Sequence, residues 1–165
     1  DDFNANLNLA IAYLQLGEPS QALVYGQRAV GLNPTSAEAR TNLGAVYAAL
    51  ERHEEAIVEY QQAAELAPLK PPLLLNLAES LGKTERFTEM VNVLEQVVRT
   101  EPTPVAYERL GAGLFRLRRY EESVGAFRKA VEIDPNHYPA LNGVGVNMLN
   151  AWVWSEGKDE GAREE

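Results

Sequence analysis

Asn8, Asn42 and Asn76 recur at intervals of 34 residues, and Arg109 stands 33 residues further on. A carboxamide presents one acceptor and two donors, so it can pair with both groups of a peptide bond. It does so whatever side chain that peptide carries. A row of such groups on one surface suits a sequence-tolerant grip on an extended backbone. Arg109, in the fourth slot, offers the planar fork that captures a carboxylate best. The competing reading is that these asparagines only hydrogen-bond neighbouring helices.

Other chemistry is thinly represented. The chain has no cysteine and two histidines, His53 and His137, both in predicted turns and far apart. They lack the i, i+4 spacing with which a helix holds a metal. The pairs Glu54/Glu55 and Glu121/Glu122 open helices, where the positive end of the macrodipole accounts for them. Gly111-x-Gly113 and Gly143-x-Gly145 fall inside helices, not after strands, so a phosphate loop is not expected. No serine has a recognisable triad partner. The expectation is a chain that is not an enzyme, with no catalytic residue, metal or cofactor.

A net charge of −9 argues against nucleic acid, which is held by lysine and arginine. No apolar run approaches the ~18–20 residues of a membrane span, so no membrane insertion is expected. The chain reads as soluble, of undetermined compartment, with the cytoplasm slightly favoured. The first residue, Asp1, fits either loss of a leader or a piece of a longer protein.

The elements that must position the asparagines are punctuated by Pro34, Pro68, Pro102 and Pro135, at intervals of 34, 34 and 33. Leu9, Leu43, Leu77 and Leu110 align, each followed by a small residue: Ala10, Gly44, Ala78 and Gly111. Ala22, Ala56 and Ser123 supply small residues from the partner segment, with Met90 the exception. That exception predicts a third hairpin that is looser or locally repacked. A self-similar period of this length means stacked supersecondary units. Each unit reads as two helices. Leu43, Val46, Tyr47 and Leu50 keep the i, i+3, i+4, i+7 spacing, Glu51-Arg52-His53 makes the turn, and Glu54 and Glu55 open the second helix. That helix ends before Pro68.

These positions resemble the tetratricopeptide repeat, a helix–turn–helix of 34 residues. The resemblance covers four full repeats, about 3–36, 37–70, 71–103 and 104–137, and a partial fifth over 138–154. Residues 1–154 thus form the array. Residues 155–165 are an acidic tail or the start of a truncated further helix, with Ser155-Glu156-Gly157-Lys158 resembling an inserted loop. The fourth place of each repeat, often aromatic in the family, is Asn6, Arg40, Leu74 and Tyr107. The fold class implied is all-α, an α-solenoid of antiparallel helix pairs in a right-handed superhelix.

The resemblance further implies that first helices line a concave groove for a peptide or partner segment. Carried over place by place, that groove presents Asn8, Asn42, Asn76, Arg109, Lys83, Arg116, Leu7, Ile11 and Phe115. The asparagines resemble the ladder in the repeat region of O-linked N-acetylglucosamine transferases. Lys83, Arg109 and Arg116 suggest a partner with an acidic segment, although Glu79, four residues before Lys83, is positioned to pair with it. A chaperone-tail clamp is not expected, because Leu7 and Ile11 occupy its polar places. Trp152 and Trp154 mark an apolar end that another repeat would cover, or through which the chain would self-associate. The expected function is a protein–protein interaction scaffold. The alternatives are a substrate-recruiting region of a larger enzyme, such as a glycosyltransferase, and a self-associating assembly module forming a homo-oligomer.

Overall fold

The computed structural model describes residues 2–161 along the backbone and side chains as far as residue 149. The chain is an all-α solenoid of helix pairs, with nine helices and no strand among the described residues. They fall into two compact units, Asp1–Arg86 and Phe87–Glu165. The first holds α1 (Phe3–Gln15), α2 (Pro19–Leu32), α3 (Ala37–Ala49), α4 (His53–Leu66) and α5 (Pro71–Lys83). The second holds α6 (Phe87–Thr100), α7 (Pro104–Arg116), α8 (Tyr120–Ile133) and α9 (Tyr138–Gly161).

Local chemistry sets the helix ends. Asp2, Ser36 and Thr103 cap α1, α3 and α7 by accepting from Ala5, Ala39 and Ala106 N–H at 3.1, 3.1 and 3.2 Å. α5 starts on Pro71, which lacks the N–H that the first turn leaves unused. At the far end of each odd-numbered helix from α1 to α7 the chain turns through a left-handed residue. These are Gly17, Glu51, Glu85 and Arg118, with φ of 74°, 59°, 59° and 60°. The next N–H then reaches back to a carbonyl five residues earlier, as from Arg52 to Tyr47 at 2.9 Å and from Arg119 to Leu114 at 3.0 Å. This closes the helix and reverses the chain in two residues.

Within the first unit α1 packs on α2, α3 on α4, and α1, α3 and α5 adjoin in order. Ala10, Ala22, Gly26 and Ala29 let α1 and α2 approach closely, and all are buried. Arg40 stands where the repeat pattern allows an aromatic, and it clamps instead of stacking. Its guanidinium donates to Pro34 O at 2.8 Å and to Glu59 Oε2 at 2.9 Å, and it also reaches Gln62.

Within the second unit α7 packs on α6, α8 and α9. Ser123 holds a small-residue slot, and its buried Oγ–H donates to Gly111 O at 2.7 Å. Met90 is buried, and its Sδ lies 3.5 Å from the place a Cβ on Gly113 would take. A glycine on α7 thus makes room for the large residue on α6. Tyr107 fills its slot against Phe127, Ala130 and Ala140.

α9 is longer than the repeat pattern suggests. Its backbone stays helical through Ser155–Lys158, which the sequence reads as a loop. That stretch contains no proline, and a lone mid-helix glycine such as Gly157 costs only about 1 kcal/mol. Residues 162–165 of the expected tail lie outside the described residues.

Candidate functional site

In the first unit a cleft of about 260 Å³ opens among α3, the α3–α4 turn, α4 and α5. One wall is Ala45, Ala48 and Ala49 of α3, whose methyl groups keep that side shallow. α5 contributes Asn76, Glu79, Ser80 and Lys83, spaced three and four apart and so on one face. Glu51 comes from the turn, and His53 and Tyr60 from α4. Residues of two successive repeats therefore line one cavity.

The cleft is organised by a polar relay. His53 Nε2 lies 3.0 Å from Glu51 Oε2, and its Nδ1 lies 3.3 Å from Ser80 Oγ. A carboxylate only accepts, so Nε2 carries the proton toward Glu51, and in the neutral ring Nδ1 accepts from Ser80. The His53 hydrogen bond, and then the charge of Lys83, hold the Glu51 carboxyl below its ordinary range. The order Ser80–His53–Glu51 is that of a hydrolase triad, a pairing the sequence reading missed. Ser80, however, is fully buried within α5, whose neighbouring N–H groups are committed to the helix. An oxyanion hole needs backbone N–H groups that are not already so committed. What the relay does is fix the direction of the Glu51 carboxylate at the cleft mouth.

Tyr60 forms the inner boundary. The residue is 0 % exposed, and its hydroxyl has no hydrogen-bond partner. Burial pushes its pKa up to about 12, with Glu79 adding to the rise and the Asn76 carboxamide opposing it. Asn76 thus lies toward the hydroxyl, yet no bond of full geometry closes between them.

The expected site residues divide by unit. Asn8 is exposed on α1, Asn42 half-buried on α3, and Asn76 exposed on α5, on three adjoining helices. Lys83 is exposed at the cleft, where its charge faces Glu51. Leu7 does not belong to a groove wall. It is 5 % exposed and packs with Ala29 and Ala39, and Ile11 packs on the same cluster. Facing α2 and α3 outweighs facing solvent because both Leu7 and Ile11 bury apolar area there.

In the second unit Arg109 is half-buried on α7, and Phe115 meets Tyr120 edge-on at 5.5 Å. The Arg116 guanidinium lies 4.4 Å from the Phe87 ring centroid. The side chains of Trp152 and Trp154 lie outside the described residues. His137 Nε2 is 3.8 Å from Glu108 Oε2. Among the described residues no group of three or more His, Cys, Asp or Glu could hold a metal, and no helix is long and apolar enough to cross a membrane.

The signal for Glu51, His53, Tyr60 and Ser80 was weak in the sequence. Tyr60 reads there as one more residue of an inner apolar stripe.

Two family models, both described as tetratricopeptide repeat, match residues 5–71 and 104–137, together more than half of the chain. No curated protein matches it. Among solved structures, MamA (from residue 41 to its end) of Desulfovibrio magneticus RS-1 superposes with a TM-score of 0.86 at 21% identity, covering 99% of this chain and 93% of that one. YrrB, a TPR protein with an unusual peptide-binding site, gives 0.83 at 24% identity, covering 91% and 78%. Identities this low establish likeness of fold alone.

Proposed function

The chain belongs to the tetratricopeptide repeat family, and on that premise we propose that it is a protein-interaction scaffold gripping an extended peptide segment along its first helices. The observation that carries this reading is the cleft of the first unit, where Asn76 faces Ala45, Ala48 and Ala49. A preformed helical surface binds with little ordering cost on its own side. Backbone hydrogen bonds to Asn8, Asn42 and Asn76 would supply affinity, of about micromolar order. YrrB, which has the same fold and an unusual peptide-binding site, supports the reading by analogy of fold. Arg109 and Arg116 of the second unit are the residues to meet an acidic stretch of the partner.

The test is a peptide array probed with the intact chain and with Asn8→Ala/Asn42→Ala/Asn76→Ala. Loss of binding at unchanged helicity supports the reading. Unchanged binding removes it.

Self-association is a second reading, favoured by one observation. Met148 and Leu149 of α9 are 54% and 61% exposed, beside exposed Leu141 and Val146. Large apolar side chains exposed along one helix are the kind of surface through which chains associate. Light scattering of Met148→Ser/Leu149→Ser against the parent decides it, since an equal mass for both rejects it. Recruitment of substrate to an enzyme remains a variant of the scaffold reading, decided by which domains the full gene encodes.

A further inference from the structure

Resting on the self-association reading, and deepening it, we infer that α9 of one copy of the chain seats on α1 of a second copy, a head-to-tail contact in which two different faces meet. The first helix lacks a cover that its later counterparts have. Ala5, Leu9 and Ala12 lie at i, i+4 and i+7 on one face of α1, and all three are exposed, Leu9 by 40%. One repeat later the same slots are Ala39, Leu43 and Val46 of α3, all buried, with Leu43 only 3% exposed. The middle slot is Leu77 on α5 and Leu110 on α7, both buried, and Val144 on α9, half-buried.

The covered counterpart shows what such a stripe takes. α2 packs on α3, with Ala29 beside Ala39. The place a Cβ on Gly26 would take lies 3.2 Å from Leu43 Cδ1. Residue numbers fall along α2 as they rise along α3, so the covering helix runs antiparallel and sets a glycine over the leucine. The stripe on α1 continues this interface one repeat upstream. A helix at the edge of such an array ordinarily turns a polar face outward, whereas α1 carries no charged side chain at all.

α9 presents a face that fits. Leu141, Gly145 and Met148 keep the same i, i+4, i+7 spacing, and all three are exposed. Nothing lies within 4 Å of the place a Cβ on Gly145 would take. Set antiparallel, with Gly145 over Leu9 as Gly26 lies over Leu43, the two faces alternate in size. Met148 meets Ala5, Gly145 meets Leu9, and Leu141 meets Ala12. Large opposite small at each step lets two helices interlock. Charge selects the same pair. The chain carries a net −9, so copies repel one another. α1 contains no Asp, Glu, Lys or Arg, and α9 contains none through Leu149, whereas every helix between them holds at least one. Contact between these two helices therefore brings no like charges together.

The contact is heterologous, so each added copy leaves one α1 face and one α9 face open and the assembly grows. An isologous dimer would instead join α9 to α9.

The experiment blocks each face separately and then mixes the products. Leu9→Glu closes the α1 face and Met148→Glu the α9 face; both residues are exposed, and circular dichroism checks that helicity is kept. In sedimentation the parent's mass is expected to rise with concentration, while each variant alone stays monomeric. Their equimolar mixture should give a two-chain species and nothing larger, because one intact face of each kind remains. Gly145→Leu fills the gap that receives Leu9. It should leave helicity unchanged or higher, leucine being the better helix former, yet weaken association at least about fivefold by overpacking the contact. If a glutamate lowers helicity, Gly145→Leu decides alone. Mixed variants that stay monomeric, association of Leu9→Glu at the parent's strength, or association undiminished by Gly145→Leu would each overturn this contact and leave self-association through another face standing. A parent that is monomeric at every concentration removes the self-association reading and this contact with it, and leaves the scaffold reading to the peptide array.

Discussion

Gly44 and Tyr60 share one space. A Cβ on Gly44 would sit 2.9 Å from Tyr60 Cε1, closer than real carbon contacts allow. The ring can lie flat against α3 only because that Cβ is missing, and in that position it closes the inner side of the cleft. The same exchange recurs sixteen residues apart in the second unit, where a Cβ on Gly111 would meet the Phe127 ring at 2.9 Å.

Gly44→Ala therefore should overpack the α3–α4 pair and lower unfolding free energy by roughly 1–3 kcal/mol. Gly125→Ala is the control. That glycine lies inside α8 with nothing within 4 Å of its would-be Cβ, so the substitution should stabilise by about 0.5–1 kcal/mol. Urea denaturation of both variants checks the pair. A loss at Gly125 equal to that at Gly44 would contradict the steric account.

Tyr60 gives the protein a pH dependence of definite sign. Its folded pKa of about 12 lies above the ordinary tyrosine value of 10.0, so from pH 10 to pH 12 the native state holds a proton that the unfolded chain releases. Stability is full below the lower value and falls as pH rises through that window, by about 2–3 kcal/mol. In Tyr60→Phe this component of the fall should vanish. At neutral pH the same variant should be as stable as the parent or slightly more so, because the hydroxyl removed has no partner. Chemical denaturation at intervals between pH 9 and pH 12 compares the two proteins.

Arg118 holds a left-handed conformation at φ 60°, where Gly17 stands in the first hairpin. Relief of the Cβ–carbonyl contact favours glycine by roughly 1 kcal/mol, reduced somewhat by the greater freedom of glycine in the unfolded chain. Arg118→Gly should raise the melting temperature by a few degrees. A fall would show that the arginine side chain contributes more than its backbone costs.

Arg40 and Glu59 are each 16% exposed and meet at 2.9 Å. Partial burial and a shared hydrogen-bond network should give the pair a coupling of about 1 kcal/mol in a double-mutant cycle, above the usual value for an exposed pair. Arg40→Ala should cost more than Glu59→Ala, because Arg40 also bonds Pro34 O. A coupling near zero would show that the bonds to Pro34 and Gln62 account for this residue without Glu59.

Periodicity along the chain was enough to establish the helix pairs, because it reports which residues share a face. The helices begin at residues 3, 37, 71, 104 and 138 for the first members of each pair, in step with the proline spacing. Small residues at Ala22, Ala56 and Ser123 were likewise legible, since close approach of two helices demands them at fixed offsets. Periodicity does not report how far a helix is rolled toward each neighbour. Leu7 carries the spacing of a groove residue and lies in the core. Glu51, His53 and Ser80 come from a turn, a helix start and the next repeat, and no local pattern joins them. Packing of α3, α4 and α5 brought them together, because which side chains meet across helices depends on non-local burial. The repeat and its reversals were thus written in the order of residues, while the cleft, its relay and the unmatched Tyr60 hydroxyl were decided by how neighbouring helices settle against one another.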